Sequence, residues 1–140
     1  MSNQLDIRNA VVVVGMEAID LPYPTKWPNA PFPNQPTGAT WIRITPLYGT
    51  PVQTGLAKTD RVDGVLQVDI FTPRDTGDAV AMGIADDLRQ ALPVNGQSLD
   101  SGGVKVKFSS AGLNGNGVDD GGWTKFIFEA RFYAYIDRTA

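Results

Sequence analysis

Alternating apolar and polar positions predict a long strand in the middle of the chain. Residues 61–72 contain the apolar positions Leu66, Val68 and Ile70 between the polar positions Gln67 and Asp69. Successive side chains of a strand point to opposite faces, so the pattern predicts a strand with one buried face. Pro73 ends the strand, because proline has no N–H to donate to the ladder.

A helix is predicted after this strand and one turn, and it extends to residue 92. Its apolar positions recur at helical spacing and are expected to face a core: Val80, Ile84, Leu88, Ala91 and Leu92. The opposite side is polar and comprises Asp78, Asp86, Asp87, Arg89 and Gln90. Asp75 or Thr76 offers an N-cap oxygen, and Pro93 ends the helix.

The N-terminal part of the chain is predicted to form a helix and then an extended crossing. Residues 3–19 carry apolar side chains at helical spacing, although the β-branched run at 11–14 favours a strand. We favour the helix, because the residues around that run are not typical of strands. Six of the ten prolines lie between Pro22 and Pro36, so this segment is expected to be extended. Residues 25–27 can pair briefly at a sheet edge.

Three further strands are predicted by alternation, over residues 40–48, 104–109 and 123–137. The last is the longest, and its core face is expected to comprise Phe126, Phe128, Ala130, Phe132, Ala134 and Ile136. Residues 49–60 are predicted to be a loop and residues 111–122 an irregular glycine-rich turn, while a short strand is placed near residues 97–99. Together these elements predict a single α+β domain over residues 1–140, with a mostly antiparallel β-sheet packed against two helices.

Composition removes several classes of chemistry. The chain has 140 residues and a formal net charge of −3, with no Cys and no His. A disulfide framework, a thiol nucleophile and a histidine base are therefore absent. There is no basic stripe, so nucleic-acid binding is not expected. Nothing approaches the roughly 20 apolar residues of a membrane span, so we expect a soluble protein without membrane contact.

The acidic residues do not form a recognisable catalytic or metal site. The run 114–120 suggests calcium binding, but the fifth position is Val118 and the twelfth is Lys125, where a bidentate Glu is required. A turn explains the same residues. Asp86 and Asp87 are adjacent on a helix and cannot share a proton as a dyad. We therefore expect no enzyme activity, no catalytic residues, no metal and no cofactor.

Two surfaces are candidates for contact with a partner. Tyr133 and Tyr135 lie on the outward face of the last strand with Arg131, a composition typical of protein interfaces. The alternative is packing against the proline-rich segment or the N-terminal helix. Trp27 and Phe32 in the proline-rich segment are either core anchors or partner contacts.

The order of motifs resembles a family of small phage proteins. The matching stretches are KWPNAPF (26–32), TWIRITPLYG (40–49), RVDGVLQVDIFTPRDTGDAVAMGIADDLRQAL (61–92) and GGWTKFIFEARFYAYI (121–136). They resemble the tail terminator-like proteins of long-tailed bacteriophages, a minor tail or head–tail joining family. The resemblance extends over nearly the whole chain, and it is carried by the order and spacing of patterning and turn residues.

This resemblance implies a structural role without catalysis or cofactor. Family members form a ring, typically a hexamer, that caps the head-proximal end of the tail tube, stops tube polymerisation and provides the joint to the head. The implied partners are further copies of the chain, the tail tube protein and a head-completion or connector protein. The implied location is the tail of the virion, after assembly in the bacterial host cytoplasm.

A ring requires two dissimilar patches that meet between neighbouring subunits. The candidates are the outward face with Arg131, Tyr133 and Tyr135, and the segment with Trp27 and Phe32. The loop 49–60, with Lys58 and the nearby Arg61, is an adaptable arm for the tube or the lumen. Two alternatives stay open: another head–tail connector or baseplate ring component, and a stand-alone ligand-binding α+β domain, which would need a deep polar pocket.

Overall fold

The chain forms a curled mixed sheet with two helical segments on one face. The structure is a computed structural model and describes residues 4–17, 23–28, 32, 39–54, 59–75, 77–92, 98–115 and 117–137. The helical segments are α1 (Gln4–Arg8), which continues as a π-helical segment (Asn9–Glu17), and α2 (Ala79–Ala91). The strands are β1 (Thr25–Lys26), β2 (Trp41–Tyr48), β3 (Val52–Gln53), β4 (Thr59–Pro73), β5 (Ser98–Ser101), β6 (Val104–Leu113), β7 (Val118–Asp120) and β8 (Trp123–Asp137).

The main path of the sheet runs in the order β1-β2-β4-β8-β6-β5, with β3 added to β4 and β7 to β8. All described pairings are antiparallel except that of β1 with β2, which is parallel. The predicted sheet with two helices is therefore confirmed. The sheet is nevertheless mixed and curled like half a barrel, which the alternation pattern did not indicate.

The centre of the sheet is the pair β4 and β8, in which Thr59 lies opposite Asp137 and Pro73 lies opposite Trp123. Each strand has 15 residues, which corresponds to about 50 Å of extended chain. The register places Gly64 opposite Phe132, where a Cβ on Gly64 would lie 2.4 Å from the Phe132 Cζ. Gly64 therefore makes room for a core aromatic ring at the middle of the sheet.

The core lies between the helices and one face of the sheet, as the alternation predicted. Every predicted inward residue of the last strand is buried, and so are Leu66, Val68 and Ile70 of β4. From the N-terminal helical segments, Ile7, Ala10, Val11 and Met16 join the same cluster. The helix predicted over residues 3–19 is thus confirmed for residues 4–17. Its second part is π-helical, with the run of β-branched valines inside it.

Helix α2 differs from its prediction in phase and in its cap. Val80 and Ala91 are exposed, whereas Ala81 and Ala85 are buried together with Ile84. The small methyl groups of the two alanines let the helix approach the sheet closely, and this rotates Val80 outward. The N-cap is Asp78, with no hydrogen bond from its side chain.

The prediction of an N-cap at Asp75 is therefore wrong. Asp75 has a φ of 64°, the left-handed conformation that Asp tolerates in a turn. Thr76, the other predicted cap, and Pro93, the predicted stop, lie outside the described residues.

Two predicted loops contain short strands. The segment 49–60 includes β3, in which Val52 pairs with Arg61 and Gln53 with Asp60. Within 111–122, β6 continues to Leu113, and β7 forms a hairpin with β8 through Gly121 and Gly122, both at positive φ. Backbone pairing, which leaves no mark in side-chain periodicity over two or three residues, is the reason that both strands were missed.

Candidate assembly interface

The outward face of the sheet carries the residues that sequence analysis singled out on the last strand. Arg61 lies opposite Tyr135 and Asp63 lies opposite Tyr133 in the antiparallel register of β4 and β8. Paired residues of neighbouring strands point to the same side, so all four side chains lie on the face away from the helices. We call Arg61, Asp63, Tyr133 and Tyr135 the outward cluster.

Arg61 is the centre of the outward cluster. Its guanidinium carbon lies 4.4 Å from the ring centroid of Tyr133 and 5.9 Å from that of Tyr135. Its Nη2 donates to the Asp63 Oδ1 at 3.0 Å, and its Nη1 donates to the Tyr135 hydroxyl at 3.4 Å. The hydrogen bond to Asp63, followed by that to Tyr135, raises the pKa of Arg61 above its ordinary value. The cluster is therefore an aromatic surface that holds an ordered ion pair between Arg61 and Asp63.

Exposed apolar side chains adjoin the outward cluster. The register places Leu47 opposite Val65, and Val52 opposite Arg61, on the same face. Leu47 is 50% exposed, Val52 62% and Tyr135 47%. Aromatic and arginine side chains with an apolar surround are typical of the centre of a protein interface.

The other end of the outward face is closed by aromatic packing within the chain. Trp41 stacks on Phe71 with ring centroids 4.0 Å apart and on Phe32 with centroids 5.4 Å apart, and Trp123 meets its edge at 6.2 Å. Trp41 and Phe71 are buried, although they lie on the face of the sheet opposite to that of Ile42 and Ile70 in the main core. Residue 32 of the proline-rich segment thus contributes its ring to a second, smaller apolar cluster.

An ion pair between the partly exposed Arg43 and the buried Asp69 lies beside these aromatic rings. Arg43 Nε and Nη2 both donate to the Asp69 Oδ2, at 3.0 and 2.7 Å, and the Gln67 side chain donates to the Asp69 Oδ1 at 3.0 Å. Asp69 is fully buried. The prediction that the polar side of β4 faces solvent is therefore wrong at Asp69, because the aromatic cluster and Arg43 cover it.

Of the remaining predicted interface residues, Arg131 adjoins the outward cluster and Trp27 does not. Arg131 is exposed on the same face of β8, opposite Val65. Trp27 is partly buried and packs against the main core. Lys58 lies outside the described residues.

Sequence reasoning missed Asp63, Leu47 and Val52 as neighbours of the tyrosines. The antiparallel register brings them there from β2, β3 and β4. The signal in the sequence was the length of the two strands that contain Arg61 and Tyr135. Two strands of this length can pair in a long uninterrupted register. Alternation alone, however, does not specify which strands are neighbours.

The described residues contain no group of three or more Asp or Glu side chains placed to hold a metal ion. No helix in the described ranges is long and apolar enough to cross a membrane.

Comparisons with known proteins identify the family. A family model described as phage tail terminator protein matches residues 6–127. A solved structure matches with a TM-score of 0.70 at 21% sequence identity, covering 99% of this chain and 97% of that chain, and this likeness supports the fold. No curated protein sequence matches the chain.

The family match covers most of the chain, and the chain belongs to the phage tail terminator family. The resemblance stated from the sequence motifs is confirmed. Membership gives the protein a structural role in the phage tail, with tail-assembly partners and a place in the virion.

Proposed function

We propose that the chain forms a closed ring, with six copies as the expected number, at the head-proximal end of the tail tube. The ring stops tube polymerisation and provides the joint to a head-completion protein. It assembles in the bacterial host cytoplasm and catalyses no reaction. Membership of the tail terminator family supports this proposal.

The outward cluster is the observation that carries the proposal in the structure. Arg61 and Tyr135 are held in place by hydrogen bonds and ring contacts within the chain, yet they remain exposed. Ordered aromatic side chains lose little conformational entropy on binding, which favours their use as contacts. The hairpin of β3 and β4 lies directly beside them. We assign this surface to the contact with the tail tube.

Two measurements test the proposal. Light scattering of the purified protein should give a mass near six times 15.1 kDa. If the free protein is monomeric, the ring should form once the protein is bound to tubes. In negative-stain images, rings should lie at one end of purified tail tubes. A protein that stays monomeric and ignores the tubes would contradict the proposal, while rings at the opposite end of the tail would indicate a baseplate component.

The variant Arg61→Ala with Tyr135→Ala tests the assigned surface. It should weaken binding to tubes and leave the fold intact, because both side chains are exposed. The matched control is Arg74→Ala with Val118→Ala, which also removes an exposed arginine and an exposed apolar side chain, from the opposite end of β4 and from β7. Equal tube binding by the two variants would contradict the assignment.

A further inference from the structure

We propose that neighbouring copies of the chain meet head to tail, with the acidic exposed side of α2 of one copy seated in a basic cavity beside β1 and β2, at one edge of the sheet of the next copy. This inference rests on the proposed ring and names the surfaces that would form its subunit contact. The two surfaces are called the basic cavity and the acidic ridge below.

The basic cavity lies between α1 and the strands β1 and β2. It has a volume of about 520 Å³, and its lining includes Arg8, Lys26, Pro46 and Tyr48. Among the described residues that line it, the two charged ones are both cations. Arg8 donates to the Asn9 side chain, and neither cation forms an ion pair within the described part of the chain. In a chain with a net charge of −3, this cavity concentrates unneutralised positive charge.

The walls of the basic cavity also offer an apolar surface. Tyr48 is 41% exposed, and its ring meets that of Phe132 with centroids 6.2 Å apart. Partial burial raises the pKa of Tyr48, and the charge of Arg8 opposes this rise. The cavity therefore fits a ligand that is apolar on one side and anionic on the other.

The acidic ridge has that composition. On α2, Met82 is 51% exposed and Asp86 follows it by one turn on the same side of the helix, beside the exposed Asp87. Neither carboxylate forms an ion pair within the described residues, and the ridge keeps a net negative charge although the exposed Arg89 lies on the same side of α2 near Asp86. Laying an amphipathic helix into a groove is a common mode of protein recognition.

The places of the two surfaces in the fold suit a ring. The strand order is β1-β2-β4-β8-β6-β5, and α2 packs over β4 and β6. The cavity therefore lies at one edge of the sheet, and the ridge lies toward the other. A ring needs two different surfaces on each subunit, complementary in charge and separated around the subunit, because identical surfaces give only a closed pair. A second copy of this chain is accordingly the occupant that fits.

A disulfide cross-link tests the contact directly. The chain has no Cys, so single substitutions introduce unique thiols. The Pro46→Cys variant is mixed with the Met82→Cys variant and oxidised at high protein concentration. A disulfide-linked dimer is expected as the main product. The matched control replaces Met82→Cys by Val118→Cys, which is similarly exposed, and should give no more dimer than random collision. Equal yields in the two mixtures would overturn the proposal.

Charge reversal makes the test specific. Asp86→Lys with Asp87→Lys on the Met82→Cys chain should abolish the link, because a basic ridge then faces a basic cavity. The link should return when the partner chain carries Pro46→Cys with Arg8→Glu and Lys26→Glu. Loss of a charge contact across an interface lowers the affinity between the two chains by about thirtyfold or more. Titration of the yield of linked dimer against protein concentration measures this change. Failure of the second reversal to restore the link, in variants with unchanged circular dichroism, would overturn the proposal.

The outcome separates this inference from the proposed function. If rings form at the tube end but the disulfide between positions 46 and 82 does not, the proposed function stands and this subunit contact is contradicted. The link without ring closure supports the contact and contradicts the ring.

Discussion

Arg43 donates to the carboxylate of Asp69 at 2.7 Å across β2 and β4, and the carboxylate is fully buried although it lies on the outward face of the sheet. The guanidinium carbon also lies 5.1 Å from the ring centroid of Phe71. The pair thus joins β2 to the central strand β4 next to the aromatic cluster of Phe32 and Trp41.

Removing Arg43 should destabilise the fold strongly. Arg43→Ala leaves the buried Asp69 carboxylate without its cation, which typically costs about 3–5 kcal/mol, and less here because the Arg43 side chain is 37% exposed. Urea unfolding measures the loss. The control is Arg61→Ala, whose pair with Asp63 is exposed and should change the free energy of unfolding by less than about 1 kcal/mol. Similar losses in both variants would contradict the structural role given to the buried pair.

Gly64 should not tolerate a side chain. A Cβ at this position would lie 2.4 Å from the Phe132 Cζ and 2.6 Å from the Leu47 carbonyl oxygen, so Gly64→Ala must displace the backbone of β2 or the core ring. Overpacking of this kind costs about 1–3 kcal/mol.

The matched control for Gly64 is Gly83 of α2, an exposed helical glycine. Nothing lies within 4 Å of a Cβ built on Gly83, so Gly83→Ala should stabilise the fold by about 1 kcal/mol through helix propensity. Thermal unfolding of the two variants should shift in opposite directions. A shift of both unfolding temperatures in the same direction would contradict the close packing at Gly64 or the open surroundings of Gly83.

Trp41 should be replaceable by phenylalanine but not by alanine. Its indole Nε1 is buried and has no hydrogen-bond partner among the described residues, so Trp41→Phe removes an unsatisfied donor while keeping the stack on Phe71. The net cost should stay below about 1.5 kcal/mol. Trp41→Ala removes the stack and should cost about 3–5 kcal/mol. Urea unfolding distinguishes the two, and equal costs would contradict the aromatic cluster.

Stability should fall in alkaline solution because of Tyr48. Burial raises the pKa of Tyr48 in the fold above the ordinary value of 10.0. A folded pKa above the unfolded value gives stability that is complete below pH 10.0 and is lost as the pH rises through the folded pKa. Tyr48→Phe should lose less stability than the unchanged protein between neutral and strongly alkaline pH. An identical pH profile for the two proteins would contradict the burial of Tyr48.

Alternation in the sequence was sufficient for the core but not for the outward face. The inward residues of β4 and β8 follow from period two, because burial selects every second position. Asp69 was placed on the face opposite to the buried one, yet it is buried beside Trp41 and Phe71, since the pattern does not show that Phe32 and Trp123 cover that end of the sheet. The phase of α2 was also missed, because its sheet-facing positions are filled by the small Ala81 and Ala85 instead of larger apolar residues.

The outward cluster shows the same limit. Tyr133, Tyr135 and Arg131 were selected from their composition, but Arg61 joins the tyrosines through a strand register that sequence periodicity does not specify. The basic cavity was not foreseen, because Arg8 and Lys26 come from separate segments that meet only through tertiary packing.

The most direct test of the account follows the growth of tail tubes from purified tube protein, by negative-stain imaging, with and without this chain. Added chain should stop elongation at a small molar ratio to tube protein, and a ring should be visible at one end of each arrested tube. Tubes that keep growing past the added protein, with no density at either end, would contradict the proposal that this chain ends the tail tube.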